Sequence, residues 1–573
     1  MLKKIIDKYN FNVVGMLRNG TIAVVTMFGI AYLFGIKNMM LAFPIALTST
    51  VLGRQNFHIK TINKSIRILL LELSIVIVSY LSSINMWIGI VVNFISIFLI
   101  MYTIVSPYDI GFYKPFIMLY VFTQYVTVSR SELPNRLLSV VFGCIIITLF
   151  SYIRKHNEKD ILINNVKSSL SIIKEQLSNV IENDYQENLS DKCSKMMRAL
   201  AYKVYITRYK RFLTTKLGKI QFRLFIYIEY LNLYIKGLES KYKDSDISKK
   251  DIKELINLIN KVISYCKNKI TIDSLYDEIK YIKEKLEGNS SYIKDGFIII
   301  FKIINNLSEI SKMSDEEVNT VYTEWERTKY DKRLYSFKAY FKKDSIRFKF
   351  AIRMAITLTV SLFAAEILGF HKVIWAVITI MSIMQPYYED TISNVKGRIK
   401  GNAIAILITG ILINIINNKI FTIVILIIAL YLLYAFKKYS RISLYAGIAS
   451  ICLSSLSENI NKLIFYRVGY LIVGVIVVLL ANKYIFPYKL DDGIRQLEEK
   501  INRYTSYLQE HYKEYISGVK KENDHEIRDL IIHITLLSQK LYLRNLEYGE
   551  ENIEKFIREN NNLVINIGYH ILN

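Results

Sequence analysis

The chain has 573 residues, 52% of them hydrophobic, with only 6 Pro and 23 Gly and a formal net charge of +25. That is too apolar for a disordered protein and long enough for several domains. The positive charge does not argue for nucleic acid: apolar stretches at 20–154 and 350–487 alternate with charged stretches at 155–345 and 488–573, and the cytoplasmic flanks of membrane helices collect Lys and Arg.

At the N-terminus, Lys3 and Lys4 precede an apolar run that starts near Thr21 and has no small-residue cleavage site. A retained first helix is expected rather than a cleaved signal peptide. A spanning helix needs roughly 17–25 mainly apolar residues to cross a hydrocarbon layer about 30 Å thick. The first stretch holds six such segments, near 20–36, 39–55, 66–83, 86–105, 112–129 and 136–153. The alternating ten-residue pattern of a membrane barrel is missing from them. Lys3, Lys4, Lys8 and Arg18 flank the first helix. Arg54, His58, Lys60, Lys64 and Arg67 follow the second, and Arg154-Lys155-His156 the sixth. The loop "SSIN" after the third has no charge, so the N-terminus, the even loops and the 155–345 region are expected in the cytoplasm. The stretch "SRSELPNR" (129–136) fits that rule less well.

Within the third segment, "LLLELSIV" places Glu72 among apolar residues. A carboxyl in mid-bilayer costs about 2.5–3.5 kcal/mol on insertion scales, so it is expected to face a bundle interior or a water path. Glu72 is therefore a candidate carrier of a coupling proton; an interhelical hydrogen bond is the plainer reading.

The charged stretch 155–345 reads as helical. Val166, Leu170, Ile173, Leu177 and Val180 recur at spacings of four and three, the seam of a coiled coil or a bundle. Segment 252–285 is similar.

The second apolar stretch offers six more helices, near 350–368, 372–386, 401–417, 419–436, 441–457 and 467–485. Glu366, in "FAAEILG", is a second candidate coupling acid or a group near the outer surface. Pro386 should stop the eighth helix. Tyr387 and Tyr388 suit the headgroup zone. Glu389 and Asp390 read as solvated loop acids, Lys396, Arg398 and Lys400 as a cytoplasmic anchor, and Gly401 as the start of a closely packed ninth helix. Lys437, Lys438 and Arg441 give the next cytoplasmic loop. The tail is again helical, with Ile494, Leu497, Ile501, Tyr504 and Leu508 on one stripe and a further helix over 525–545.

The halves repeat. "LRNGTIAVVTMFGIAYLFGIKN" (17–38) parallels "IRMAITLTVSLFAAEILGFHK" (352–372), and "RLLSVVFG" (136–143) parallels "RVGYLIVG" (467–474), at offsets of 331–335 positions. Six helices per copy bring both copies in with one orientation, a parallel repeat of the kind transporters use. The expected fold is thus an all-α membrane protein. Two tandem six-helix blocks, 1–154 and 346–487, are each followed by a cytoplasmic helical domain, 155–345 and 488–573.

Four scattered cysteines without C-x-x-C suggest neither a disulfide framework nor zinc. His525 and His533 make no metal set alone. The sequence lacks a glycine-rich phosphate loop, so no cofactor is expected and active transport would draw on an ion gradient or a partner. Arg18, Arg67, Arg136, Arg353, Arg398 and Arg467 lie at expected helix ends. Each could hold a carboxylate in two hydrogen bonds or snorkel to the interface.

The run T-x5-QP-x4-T-x6-R-x2-G, here Thr379, Gln385, Pro386, Thr391, Arg398 and Gly401, resembles the signature of the fusaric acid resistance family. That group includes aromatic acid exporters and is similar to plant malate transporters. Where family members often continue G-T-x-x-G, this chain has Asn402 and Ala405; the N-terminal copy keeps Arg67 but has Gly53-Arg54 in place of Gln-Pro. The resemblance implies an exporter of small organic anions, aromatic carboxylates foremost, and the missing phosphate loop and Glu72 add the expectation of proton coupling; an enzyme is not expected. Its candidate substrate residues are Arg398, Gln385, Pro386, Thr391, Arg67 and Arg353, with Glu72 and Glu366 as coupling candidates. A passive anion channel and a membrane scaffold without transport are the other readings. Lipids, an organic anion, a second copy of the chain or a cell-envelope protein are the expected partners, and nucleic acid is not.

Overall fold

The computed structural model describes residues 11–52, 61–104, 110–153, 158–206, 214–244, 247–285, 291–318, 321–322, 341–369, 372–416, 418–518, 524–546 and 549–573. Among them the protein is helical, apart from a two-residue antiparallel pair that joins β1 (Thr214–Thr215) to β2 (Val321–Tyr322). Two compact units form: Met1–Lys155 with Tyr335–Gly493, and His156–Leu334 with Ile494–Asn573.

The first unit opens with α1 (Val13–Phe34), whose Asn12 cap accepts from the Gly15 amide at 2.8 Å. Gly35, at φ 90°, turns the chain into a 3-10 segment, Ile36–Leu41, which leads to α2 (Ala42–Leu52). Then come α3 (Thr61–Ser82), α4 (Met86–Ile104), α5 (Lys114–Tyr125, with Pro115 in its first turn) and α6 (Leu133–Ile153). The second stretch gives α14 (Ile346–Leu368), α15 (Ile374–Ile383), α16 (Tyr388–Ile416), α17 (Lys419–Leu433), α18 (Tyr439–Ser455) and α19 (Ile460–Tyr484). A helix lies at each of the twelve positions expected. By length and composition, α1, α3, α4, α6, α14, α16 and α19 are long and apolar enough to cross a membrane; α15 and α17 are shorter apolar helices. The basic residues at 54, 58, 60 and 154–156 lie outside the described residues.

One boundary differs. Lys396, Arg398 and Lys400 do not form a loop: they sit inside the 29-residue α16, as does Gly401. The break is only Met384 to Tyr387. Pro386 ends α15 as its chemistry requires, and Glu389 and Asp390 fall in the first turn of α16, where acids favour the positive end of the helix dipole. Tyr387 is buried against Tyr488, ring centroids 5.6 Å apart, while Tyr388 is exposed.

Both halves of this unit use the same helix pairings. The first helix packs on the second, the second on the sixth, and the third on the fifth and sixth (α1–α2, α2–α6, α3–α5 and α3–α6; α14–α15, α15–α19, α16–α18 and α16–α19). The matching glycines of the sixth helices explain one pairing. A Cβ on Gly143 would stand 2.6 Å from Ile45 of α2, and one on Gly474 2.8 Å from Thr379 of α15. Contacts between the halves are reciprocal: α4 lies on α14, and α1 on α17. Each first helix thus meets the other half's fourth, as a two-fold relation demands. Phe98 packs on Phe348, and Thr21 Oγ1 meets the Tyr431 hydroxyl at 3.1 Å.

The second unit is a bundle of α7 (Glu158–Ile181), α8 (Glu187–Ile206), α9 (Lys216–Lys243), α10 (Lys249–Tyr265), α11 (Ile272–Lys285), α12 (Ser291–Lys312), the one-turn α13 (Asp315–Val318), most of α20 (Leu490–Ile516), α21 (Asp524–Asn545) and α22 (Glu551–Leu572). Its stripes face inward: Val166, Leu170, Ile173, Leu177 and Val180, and Ile494, Leu497, Ile501, Tyr504 and Leu508, are all buried. The tail belongs to this bundle. Tyr569 stacks on Tyr230 of α9 with centroids 3.7 Å apart.

Candidate functional site

The site is built around the short break before α16. Once Pro386 has ended α15, the loose backbone groups need partners. Thr391, fully buried one turn into α16, supplies two: its Oγ1 accepts from the Gln385 amide at 3.0 Å and lies 3.0 Å from the Tyr387 carbonyl. Arg353, buried on α14, donates Nη2 to the Pro386 carbonyl at 2.7 Å and Nη1 to Asn482 Oδ1 of α19. Gln385 turns its Nε2 back to the Met384 carbonyl at 2.9 Å. The structure therefore joins four residues singled out in the sequence, Gln385, Pro386, Thr391 and Arg353, in one knot of backbone satisfaction.

Arg398 lies two turns further along α16. Its side chain is 5% exposed, makes no hydrogen bond or ion pair with any described residue, and has a shielded Nε. Beside it Asn402 is a hub. Its Nδ2 donates to the Arg398 carbonyl at 2.9 Å and to Ser443 Oγ of α18 at 3.1 Å, and its Oδ1 accepts Nε of Arg467 at 3.0 Å. Arg467, on α19, also lies 5.0 Å from the Trp375 ring centre. Arg398 and Arg467 are near enough for their charges to act on one another. No described carboxylate pairs with either. A buried cation without a counter-ion is costly, and two side by side make a place where an anion is favoured.

The remaining candidates stand apart. Arg67 is exposed on α3, and Glu366 is exposed toward the end of α14. Glu72 is buried in α3, where it accepts from Thr48 Oγ1 at 3.0 Å and from Cys144 Sγ at 3.5 Å. No described cation pairs with it. Arg136 of α6 is buried and bonded within its own half: Nε donates to Asn38 Oδ1 at 3.0 Å, and Nη1 to the carbonyls of Thr123, at 2.9 Å, and Val126.

Asn402, Asn482 and Trp375 were not singled out as site residues. Asn402 marked only a departure from a familiar pattern, and nothing in helical periodicity ties it to Arg467, 65 positions away. The one available signal was polarity: an amide within an apolar helix needs a partner.

Several long apolar helices, buried arginines and a buried carboxyl define a multi-pass, all-helical membrane protein. Residues 359–481, from inside α14 to inside α19, match the family model described as fusaric acid resistance protein-like, and the resemblance read from the QP-to-glycine stretch holds over that segment. No curated protein and no solved structure matches the chain.

Proposed function

We propose that this protein is a transporter that exports small organic anions, aromatic carboxylates foremost, across the plasma or inner membrane in exchange for protons. The family match and the apolar helices support a membrane transporter. The observation that carries the anion reading is Arg398: a buried guanidinium with no partner among the described residues, beside Arg467, in the segment that matches the family. An arginine fork suits a carboxylate in two parallel hydrogen bonds, and the flanking Trp375 offers an aromatic face. Glu72, buried with no described cation beside it, is the group we assign to proton coupling. Two six-helix blocks facing the same way, both charged stretches in the cytoplasm and both termini with them are what the basic flanks favour, and the recurring helix pairings support the repeat itself.

The test is flux of labelled hydroxybenzoate into vesicles that carry the purified protein and a pH gradient. Uptake that follows the gradient is expected, as is its loss in Arg398→Ala at unchanged expression. Flux indifferent to collapse of the gradient removes the coupling claim, and undiminished flux in Arg398→Ala removes the arginine.

A further inference from the structure

The second unit contains a cavity of about 100 Å³ between α8, α9, α21 and α22, lined by several charged and amide side chains. One water's share of liquid is about 30 Å³, so the space suits a ligand of only a few heavy atoms. Its floor is Arg198 and Glu229, each 6% exposed, with Asn232 at 1%; Glu187, Asp191 and Asn562 at the rim are exposed.

The charges divide into a paired set at the rim and a set without ion-pair partners, Arg198 and Glu229 at the floor with Asp191 above them. At the rim Glu187 accepts from Lys236 Nζ at 3.1 Å and from Arg558 Nη1 at 2.6 Å, and Arg558 lies 3.6 Å from Glu554. At the floor Arg198 has only the Tyr542 ring, 5.1 Å away; it makes no hydrogen bond or ion pair with a described residue, and its Nε is shielded. Glu229 accepts from Ser194 Oγ at 2.8 Å with the Asn232 amide also beside it, and Asn232 in turn holds Ser194 at 3.1 Å; no described cation pairs with Glu229. Asp191 makes none with a described residue. Arg198 and Glu229 thus line one cavity within electrostatic reach of each other and yet do not pair. Burial pushes the carboxyls of Glu229 and Asp191 up and Arg198 down from their ordinary ranges, as expected of charges that lack close partners.

We propose that this cavity binds a small zwitterion of the α-amino acid class, its carboxylate on Arg198 and its ammonium between Glu229 and Asp191. A simple organic anion would satisfy Arg198 but face two unpaired carboxylates, and a simple amine would leave Arg198 bare. The site is independent of the transport reading and lies in the other unit of the chain.

The experiment is calorimetric titration of the full-length protein in detergent, in amine-free buffer, with glycine, L-alanine, propionate and ethylamine. Saturable binding of glycine or L-alanine in the millimolar range or tighter is expected, with propionate and ethylamine silent at the same concentrations. Arg198→Gln and Glu229→Gln should each weaken binding about tenfold or more, the effect of removing one charged hydrogen-bond partner. Asp191→Asn, at the exposed rim, should also weaken it without altering the melting temperature of the unliganded protein; this variant keeps the test open if a floor variant misfolds. No saturable binding of either zwitterion, equal binding of propionate or ethylamine, or unchanged affinity in Asp191→Asn overturns the proposal.

Discussion

The guanidinium of Arg353 donates to the carbonyl of Pro386 at 2.7 Å, tying α14 to the turn that separates α15 from α16. The same side chain reaches Asn482 of α19, so one residue holds three elements together. Charged hydrogen bonds are worth about 1.5–3 kcal/mol each, and their loss leaves a buried carbonyl unmet. Arg353→Met is therefore expected to lower stability by about 2–4 kcal/mol, read as a lower melting temperature in detergent, with Arg353→Lys intermediate because an ammonium cannot bridge both acceptors in plane. A melting temperature unchanged in Arg353→Met would show that the turn stands without it.

Arg398 should behave in the opposite way. It is buried, charged and without a partner among the described residues, so the fold bears its desolvation cost and gains nothing there in return. Arg398→Met is expected to abolish anion flux while the melting temperature holds or rises, the trade of stability for function found where a site stores an unpaired charge. If flux and melting temperature fall together, the residue is structural. That outcome would count against the anion site as strongly as unchanged flux.

This contrast shows what the sequence could and could not reveal. Apolar length located the helices of the first unit, because the thickness of a bilayer dictates it. Pro386 ended α15 where its missing amide said it must. The basic cluster misled, because a Lys-Arg-Lys triplet reads as loop when the acids and hydroxyls that start a helix ahead of it, Glu389, Asp390 and Thr391, are not weighed. Six arginines looked alike in the sequence. Their fates, exposed for Arg67, bonded to partners on other elements for Arg136 and Arg353, without a described partner for Arg398, depend on contacts tens of residues away that no local period encodes. The inward stripes of α7 and α20 were plain from spacing, yet nothing in spacing said that both would join a single bundle.

Gly401 allows the close approach of α16 and α18. A Cβ there would stand 2.5 Å from the Ser440 carbonyl oxygen and 2.8 Å from the Leu444 amide, both backbone atoms that cannot swing aside. Gly401→Leu is expected to force the helices apart at a cost of about 1–3 kcal/mol or more, and to displace Ser443 and Asn402 from Arg467. Lower thermal stability together with lower flux is the expected pair of results. Normal values of both would mean that the helices are not in backbone contact at this point.

Glutamate 229 gives the second unit a pH dependence of definite sign. Burial raises its carboxyl, with Arg198 and two hydrogen bonds opposing the rise only in part, and burial raises Asp191 as well. A group whose folded value exceeds its unfolded value, about 4.3 for Glu, holds its proton more firmly in the native state. Its contribution is complete below the unfolded value and is lost as pH climbs through the folded one. Glu187 and Glu317 shift the other way, so their contributions fade only as pH falls through depressed values and do not interfere above pH ~5. Hydrogen exchange in α8 and α9 should therefore quicken, after correction for intrinsic rates, as pH rises above the ordinary glutamate range, about 4.3, and Glu229→Gln should flatten that trend because an amide does not titrate. A slope that survives the substitution intact would place the responsible proton elsewhere.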